Sequence, residues 1–284
     1  MIVYLNGDYV PAEEARISVF DRGFLYGDGI YETLRVYSGR VFKLEEHLSR
    51  LERSARMIRL ALPLSRAGVA EAIETCLKVN DLSSALVRIG VSRGEASSPG
   101  LDPALVVGPP TMVIVARPFE PYPEAMYEAG LRAAVVSVRR NPTEALNPTI
   151  KSTNFLNNIL AKMEALEAGT DEAIMLNTDG HVAEGTTTNI FWVAGDTLCT
   201  PPLEAGILDG VTRSVTISLA EDLDYQVLEV LRGRSALEEA EEVFITSTSY
   251  EIMPVTTIDG KPVGSGRAGP MSLELLSKFR ELCW

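Results

Sequence analysis

The chain has 284 residues, a net charge of −13 and 46% hydrophobic residues. This length suits one large domain or two smaller ones, and the acidic charge argues against nucleic acid or an anionic membrane surface as partner. Three scattered cysteines and two histidines fit neither a disulfide framework nor a metal site. The sequence shows no signal peptide and no run of about 20 apolar residues. We therefore expect a cytoplasmic protein without a metal or membrane partner.

The first 117 residues are predicted to form a small α+β domain. Two apolar runs around Asn6–Gly7 predict a β-hairpin. Further strands are predicted at 16–20, in the second half of 21–37, and at 85–91 and 111–116, and helices at 43–58 and 66–79. Arg50 lies at the edge of the apolar stripe of the helix at 43–58, and from there an arginine can reach into a cleft.

A domain boundary is predicted where prolines cluster. Three prolines lie between Arg117 and Pro123, and proline continues neither a helix nor a central strand. We therefore expect a linker at 118–127 and a second, larger domain at 128–284.

The second domain is also predicted to mix strands with helices. Strands are expected at 131–138, 172–177, around Glu184, and at 189–193, 197–200 and 242–250. Helices are expected after Lys151, after Gly210 and at 271–282. The helix after Lys151 carries an apolar stripe that includes Leu156 and Leu160.

Two residues of the second domain carry the most informative chemistry. Lys151 is predicted to lie at a strand-to-helix junction among Pro, Thr, Ile and Ser residues, where desolvation makes an amine a usable nucleophile and base. Glu184 precedes a Gly-Thr-Thr-Thr run, and a carboxylate there can keep a heterocyclic nitrogen protonated. In isolation, a surface lysine and a turn glutamate are the simpler interpretations.

Several segments predict an anion site. Gly210 precedes a helix whose free N–H groups favour an anion, and Thr248 and Ser249 end a strand with hydroxyls. The simpler interpretation of Gly210 is an ordinary turn before a helix. The simpler interpretation of Thr248 and Ser249 is an exposed polar loop, and that of Arg50 is a solvated helix charge. Together with Lys151 and Glu184, however, they match the aldehyde, ring nitrogen and phosphate of pyridoxal phosphate.

Six ordered motifs resemble the class IV (fold-type IV) pyridoxal-phosphate aminotransferases. They are 21–32, 46–51, 151–156, 183–191, 210–213 and 247–249. The resemblance covers nearly the whole chain. It implies an α+β, two-domain fold of the D-amino-acid aminotransferase type, with a smaller α/β N-terminal domain. The larger C-terminal domain is then expected to hold a β-barrel-like sheet with flanking helices.

The resemblance also implies a role for each matched residue. Lys151 is the catalytic residue, which forms a Schiff base with pyridoxal 5'-phosphate and moves the proton. The cofactor-binding residues are Arg50, Lys151, Phe155, Glu184, Leu208, Gly210, Val211, Thr212 and Thr248. The substrate-binding residues are Tyr26, Tyr31, Arg93 and Ser249.

The expected reaction is ping-pong transfer of an amino group between an amino acid and 2-oxoglutarate or another 2-oxo acid. Several segments, among them 171–177, look most like branched-chain-amino-acid aminotransferases, which suggests branched-chain L-amino acids. Arg93 lies where D-amino-acid aminotransferases place a carboxylate-binding arginine, so that activity stays open. An aminodeoxychorismate lyase and a non-catalytic cofactor-binding relative also stay open. The family further implies a homodimer or a higher homo-oligomer.

Overall fold

A computed structural model describes residues 1–283, which divide into two compact units. Unit 1 comprises Met1–Glu120 and Ile150–Asn154, and unit 2 comprises Pro121–Thr149 and Phe155–Trp284. The division after Glu120 falls inside the segment 118–127, whereas the return of Ile150–Asn154 to unit 1 was not predicted. Among residues 1–283, the helices are too short or too polar to cross a membrane.

Unit 1 is a six-stranded antiparallel sheet covered on one face by two helices. Its elements are β1 (Ile2–Leu5), β2 (Asp8–Pro11), α1 (Arg22–Tyr26), β3 (Gly29–Tyr37), β4 (Arg40–Val41), α2 (Leu44–Met57), α3 (Arg66–Val79), β5 (Ala85–Ser92), β6 (Glu95–Ala96), β7 (Val106–Val107) and β8 (Thr111–Pro118). The sheet order is β2-β1-β8-β5-β3-β4, and β6 pairs with β7 alone. Alternate residues of β3, β5 and β8 form the core with α2 and α3, because side chains alternate between the faces of a strand.

Most elements predicted for the N-terminal part are present, including the hairpin and both amphipathic helices. The strand predicted at 16–20 is wrong. Ile17, Val19 and Phe20 are 53%, 64% and 62% exposed, and the segment has no strand partner. Alternation stabilises a strand only when one face is buried and an edge is paired.

Unit 2 contains a nine-stranded sheet and five helices within the part of the chain that the structure describes. Its elements are α4 (Glu124–Ala129), β9 (Leu131–Val135), α5 (Leu156–Glu167), β10 (Glu172–Leu176), β11 (Val182–Gly185), β12 (Asn189–Ala194), β13 (Thr197–Thr200), α6 (Val211–Asp222), β14 (Gln226–Glu229), α7 (Ser235–Glu238), β15 (Glu242–Ser247), β16 (Glu251–Ile258), β17 (Lys261–Pro262) and α8 (Pro270–Cys283).

Six of these strands close into a ring. The order β11-β10-β9-β16-β15-β12 is closed by the pairing of β12 with β11, which confirms the β-barrel-like sheet. Phe191 and Phe244 stack in the core with ring centroids 5.0 Å apart. The neighbouring strands β13 and β14 extend the sheet beyond the ring.

Helix α5 buries its small residues and exposes its large ones. Ala161 and Ala165 pack against Ala134 and Met175. The stripe noted in the sequence begins at Phe155, which is half-buried. Its other members are 45 to 67% exposed and are Leu156, Ile159, Leu160, Met163 and Leu166. The close approach of the backbone to the sheet therefore selects alanine, and the apolar stripe faces away from the core.

Strand β16 was missed because Pro254 interrupts its pattern. Proline is disfavoured in a central strand since it cannot donate to the ladder. Here the pairing of β16 with β9 begins at Val255, just beyond Pro254, while β15 pairs on the other side.

Candidate active site

Lys151 is held in unit 1 by main-chain hydrogen bonds on both sides. The Tyr31 N–H donates to the Lys151 carbonyl at 2.9 Å, and the Lys151 N–H donates to Ser54 Oγ at 3.1 Å. A β-bridge joins the next residue, Ser152, to Ile30 on β3. The Lys151 Nζ lies 4.5 Å from the Tyr31 ring centroid. The backbone thus fixes the point from which the amine extends.

Arg50 belongs to a buried charged cluster between α2 and β3. Its Nε and Nη2 donate to the Glu32 carboxylate at 2.7 and 2.8 Å, and His47 Nδ1 lies 2.8 Å from the same carboxylate. Burial alone would raise the pKa of Glu32, but the charge and hydrogen bonds of Arg50 hold that pKa at about 2. Burial lowers the pKa of His47. His47 is therefore a neutral donor beside an ionised Glu32.

Arg93 is fastened by four hydrogen bonds. It donates from Nε and Nη2 to Asp28 at 2.8 and 3.0 Å. Its Nη2 also donates to the Ile58 carbonyl at 2.7 Å, and its Nη1 donates to the Arg59 carbonyl at 2.9 Å. Burial would raise the pKa of Asp28, but hydrogen bonds from Arg93 and Arg22 lower it. Four of the five guanidinium N–H groups of Arg93 therefore already have acceptors.

Tyr26 is held by the loop that follows β5. The Gly100 N–H donates to the Tyr26 hydroxyl oxygen at 3.1 Å. Arg22 anchors the same loop by donating to the carbonyls of Gly100 and Leu101. The hydroxyl hydrogen of Tyr26 can therefore donate elsewhere while its oxygen is occupied.

A cavity of about 480 Å³ lies in unit 1 on the sheet face opposite α2 and α3. Tyr31 and Arg88 share this face, and the Arg88 guanidinium lies 4.1 Å from the Tyr31 ring centroid. The apolar part of the cavity lining includes Val19, Val113 and Val115. Within residues 1–283, no carboxylate lies within ion-pair distance of Arg88. The lining also includes Asp21 and the hydroxyl residues Ser18, Ser92, Thr111 and Thr153. The cavity therefore offers an arginine without an ion-pair partner beside an apolar wall.

Glu184 is buried in unit 2 and engaged through both carboxylate oxygens. Oε1 accepts from Arg140 Nε at 2.6 Å, and Oε2 accepts from the Leu208 N–H at 2.9 Å. Asn189, which lies opposite Glu184 in the β11–β12 ladder, approaches Oε2 at 3.4 Å. The carboxylate predicted to meet a ring nitrogen is thus held by the protein itself.

The N-terminus of α6 follows Leu208, whose N–H donates to the Glu184 carboxylate. Gly210 is its N-cap and supplies no side-chain cap. A Cβ at Gly210 would lie 1.9 Å from Asn189 Oδ1, so glycine is required for steric reasons. The first N–H groups of the helix, from Val211 and Thr212, have no partner within the helix, which leaves room for an anion.

A third polar side chain extends the row formed by Glu184 and Asn189. Thr246 lies opposite Asn189 in the β12–β15 ladder. Its hydroxyl is buried and has no hydrogen-bond partner in the described part of the chain. A buried hydroxyl without a partner is costly, and its position in the same row as Glu184, next to Asn189, is that expected for a ligand-binding surface.

The remaining predicted residues of unit 2 lie at element ends. Thr248 and Ser249 lie in the turn between β15 and β16, where the Tyr250 N–H donates to Ser247 Oγ at 3.0 Å. Phe155 is the N-cap residue of α5. Tyr250 stacks on Tyr122 with ring centroids 4.9 Å apart, which supports the turn.

The structure groups the predicted residues within each unit. Unit 1 holds Lys151, Arg50, Tyr26, Tyr31 and Arg93, and unit 2 holds Phe155, Glu184, Leu208, Gly210, Val211, Thr212, Thr248 and Ser249.

Three charged residues in or beside strands were not predicted for the site. They are Glu32, Arg88 and Arg140. The sequence does carry a signal for Glu32, because a charged residue in a strand of otherwise buried residues needs a partner. It carries none for Arg88 or Arg140, which occupy positions where solvent exposure is the ordinary outcome.

Comparisons with known proteins agree across the chain. The sequence model for amino-transferase class IV matches residues 29–258. A Methanocaldococcus jannaschii protein provisionally named a branched-chain-amino-acid aminotransferase is 43% identical over 99% of this chain and 96% of its own length. Aminodeoxychorismate lyase of Bacillus subtilis is 38% identical over 98% and 94% of the two chains. D-alanine aminotransferase of Staphylococcus haemolyticus is 35% identical over 98% and 96%.

Solved structures extend this agreement to the fold. The branched-chain amino acid aminotransferase of Escherichia coli is similar with a TM-score of 0.94 and 32% identity, over 99% of this chain and 94% of that one. Another branched-chain amino acid aminotransferase, solved with pyridoxamine 5'-phosphate, has the same TM-score and 34% identity, over 99% and 93% of the two chains. The fold-type IV architecture is thereby confirmed. From the family match and these full-length similarities, we conclude that the chain belongs to the class IV aminotransferases, which use pyridoxal 5'-phosphate.

Proposed function

We propose that this aminotransferase acts on branched-chain L-amino acids and passes the amino group to 2-oxoglutarate or another 2-oxo acid. The observation that carries the proposal is the unit 1 cavity. Its valine-rich wall suits an aliphatic side chain, and Arg88 suits a carboxylate. Tyr31 lines the cavity and lies 4.5 Å from Lys151 Nζ. Tyr31 is therefore shared by the cavity and the surroundings of the amine.

We further propose Arg88, in place of Arg93, as the arginine that binds a substrate carboxylate. Arg93 donates to Asp28 and to two carbonyls, so recruiting it would break several bonds. Arg88 needs no such rearrangement. The variant R88M should raise KM for L-leucine at least tenfold, because a charged hydrogen bond contributes about 1.5 to 3 kcal/mol. The matched control is R117M, at an exposed arginine on β8, and an equal KM effect in both variants would reject the assignment.

The residues of both units fit pyridoxal 5'-phosphate. The amine of Lys151 and the guanidinium of Arg50 suit its aldehyde and its phosphate. In unit 2, Glu184 has a lone pair left for a ring N–H. Gly210 keeps the start of α6 open, where N–H groups from Val211 and Thr212 suit phosphate oxygens. We assign Thr248 to the phosphate and Leu208 and Phe155 to the ring.

Each of these groups has a defined task in the reaction. When bound, pyridoxal 5'-phosphate takes up the amino group and spreads the electron pair left by the departing Cα proton. Lys151 Nζ would hold the cofactor covalently between turnovers. Once released by the substrate amine, the Lys151 amine would take the proton from the substrate Cα and deliver it to the carbon of the former aldehyde. Glu184 stabilises positive charge at the ring nitrogen, and Tyr26, Tyr31 and Ser249 orient the substrate.

Other activities of the family are supported by full-length similarity alone. Relatives named D-alanine aminotransferase and aminodeoxychorismate lyase match over nearly the whole chain. The cofactor-binding residues suit all of these reactions, and also a relative that binds the cofactor without turnover. The choice therefore depends on substrate.

A half-reaction screen distinguishes these activities. The loaded enzyme is mixed with L-leucine, L-valine, D-alanine, D-glutamate or a chiral primary amine, and the visible band of the bound cofactor is followed. We expect bleaching by L-leucine and L-valine and recovery with 2-oxoglutarate. Bleaching by D-alanine alone would replace the proposal with a D-amino-acid aminotransferase, and no bleaching would favour a lyase or a non-catalytic relative.

We also propose a homodimer. Support comes from the exposed row of large apolar side chains on α5, which includes Leu156, Leu160 and Leu166. Such a continuous apolar surface is uncommon on a monomer. Light scattering should give a dimer or a larger oligomer for the wild type and a smaller species for L160E. The control L282E, on the exposed side of α8, should leave the mass unchanged.

A further inference from the structure

A buried arginine lies against the carboxylate that we assign to the cofactor's ring nitrogen. Arg140 Nε donates to Glu184 Oε1 at 2.6 Å, and both side chains are buried. We propose that Arg140 is a positioning residue that orients Glu184 toward the ring nitrogen and supplies its counter-charge. This inference rests on the proposed function, since it concerns how Glu184 meets the cofactor.

Arg140 is itself fixed from two further directions. Its Nη1 donates to Asn157 Oδ1 at 3.0 Å, and Asn157 Nδ2 donates to the Arg139 carbonyl at 2.8 Å. The Arg140 main-chain N–H donates to the Leu176 carbonyl at the end of β10 at 2.9 Å. The guanidinium is therefore anchored to α5 and β10 before any ligand binds.

The donors around Glu184 determine the plane of its carboxylate. Arg140 occupies Oε1, and the Leu208 N–H occupies Oε2 at 2.9 Å. Because one donor holds each oxygen, the carboxylate cannot rotate without breaking a hydrogen bond. An ionised carboxylate accepts up to about four hydrogen bonds, so capacity remains for one from the ring nitrogen.

The positive charge of Arg140 also offsets the electrostatic cost of burying Glu184. A buried carboxylate is unfavourable without a cation or a full set of donors. Without Arg140, Glu184 would keep the neutral N–H groups of Leu208 and Asn189 as donors. The ion pair therefore prepares the site before the cofactor arrives, and its loss should weaken cofactor binding as well as catalysis.

A double-mutant cycle tests this role with cofactor affinity as the readout. The four proteins are wild type, R140M, E184Q and R140M/E184Q, and the control is R139M, at the exposed neighbouring arginine. Each cofactor-free protein is titrated with pyridoxal 5'-phosphate, and the visible absorption is followed. Supporting residues behind a primary ligand contribute about 10- to 100-fold to affinity in metal sites. We expect a weakening of the same order for R140M and none for R139M.

Non-additivity separates positioning from a general structural role. If Arg140 acts through Glu184, R140M should change affinity less than about twofold in the E184Q background, and the absorption maximum of R140M/E184Q should match that of E184Q. Equal losses from R140M in both backgrounds would overturn the proposal. Unaltered affinity in R140M would overturn it as well.

Two further measurements keep the outcome decisive. If thermal unfolding shows that R140M does not fold, the cycle is repeated with R140K and with N157A, which disturb the guanidinium but keep a cation near Glu184. Coupling of R140K or N157A to E184Q supports the proposal, and additivity with E184Q rejects it. Failure of the wild type to bind pyridoxal 5'-phosphate would instead refute the proposed function, and this inference with it.

Discussion

The buried Glu32 cluster gives a quantitative prediction about stability. Replacing Glu32 with glutamine keeps the shape of the side chain but leaves Arg50 as a buried cation without its carboxylate. Lowering the pKa of Glu32 from 4.5 to about 2 corresponds to about 3 kcal/mol, and breaking a buried ion pair costs about 3 to 5 kcal/mol. We therefore expect E32Q to lose about 3 to 5 kcal/mol in the free energy of unfolding.

The pH dependence tests the origin of that loss. The pKa of Glu32 is lower in the folded state, so its contribution is present in full above the unfolded-state value and declines as the pH falls toward 2. In urea unfolding, the difference between wild type and E32Q should be constant between pH 6 and pH 8 and about 1 kcal/mol smaller at pH 4. The control E52Q, at a surface ion pair with Arg66, should change little. A difference that is absent at pH 7, or that grows at pH 4, would show that the ion pair between Glu32 and Arg50 is not the origin of the loss.

Three further outcomes follow from the same structure. K151A should abolish transamination and the visible band of the bound cofactor, as measured by absorbance and a coupled assay, and near-normal turnover would reject its catalytic role. G210A should weaken cofactor binding at least tenfold, because its Cβ would lie 1.9 Å from Asn189 Oδ1, whereas titration of G233A, where the added Cβ meets its nearest neighbour at 3.8 Å, should show no change. E242Q should lower the unfolding free energy by about 1 to 2 kcal/mol, because Glu242 accepts two N–H groups at the start of α8; an unchanged urea midpoint would count against this cap.

Periodicity predicted the elements whose neighbours are local or plainly apolar. Helices α2 and α3 repeat apolar residues at helical spacing and end within two residues of the predicted bounds. The segment 16–20 alternates as clearly as the observed strands, but it does not pair with the edge of another strand. Whether such an edge exists depends on tertiary pairing, and a local pattern does not contain that information.

Residue type predicts the chemical groups of the site, but it does not predict the buried residues that hold those groups in place. Lys151 and Glu184 follow from the chemistry that a cofactor needs and from the family motifs. The buried partners of Arg50 and Glu184 are distant along the chain. Glu32 lies 18 positions from Arg50, and Arg140 lies 44 positions from Glu184. A single sequence can indicate that Glu32 needs a partner, but it does not identify a partner so distant along the chain. The same limit applies to Arg93, because its hydrogen bonds to Asp28 and to two carbonyls become visible only in the fold.

The most direct test of the central claim is to locate the cofactor on the chain. The loaded protein is treated with borohydride, which reduces the bond between lysine and cofactor to a stable amine, and is then digested and analysed by peptide mass spectrometry. We expect the added cofactor mass on the peptide that contains Lys151. A label on another lysine, such as Lys162, or no label in a protein that shows the visible band, would contradict it.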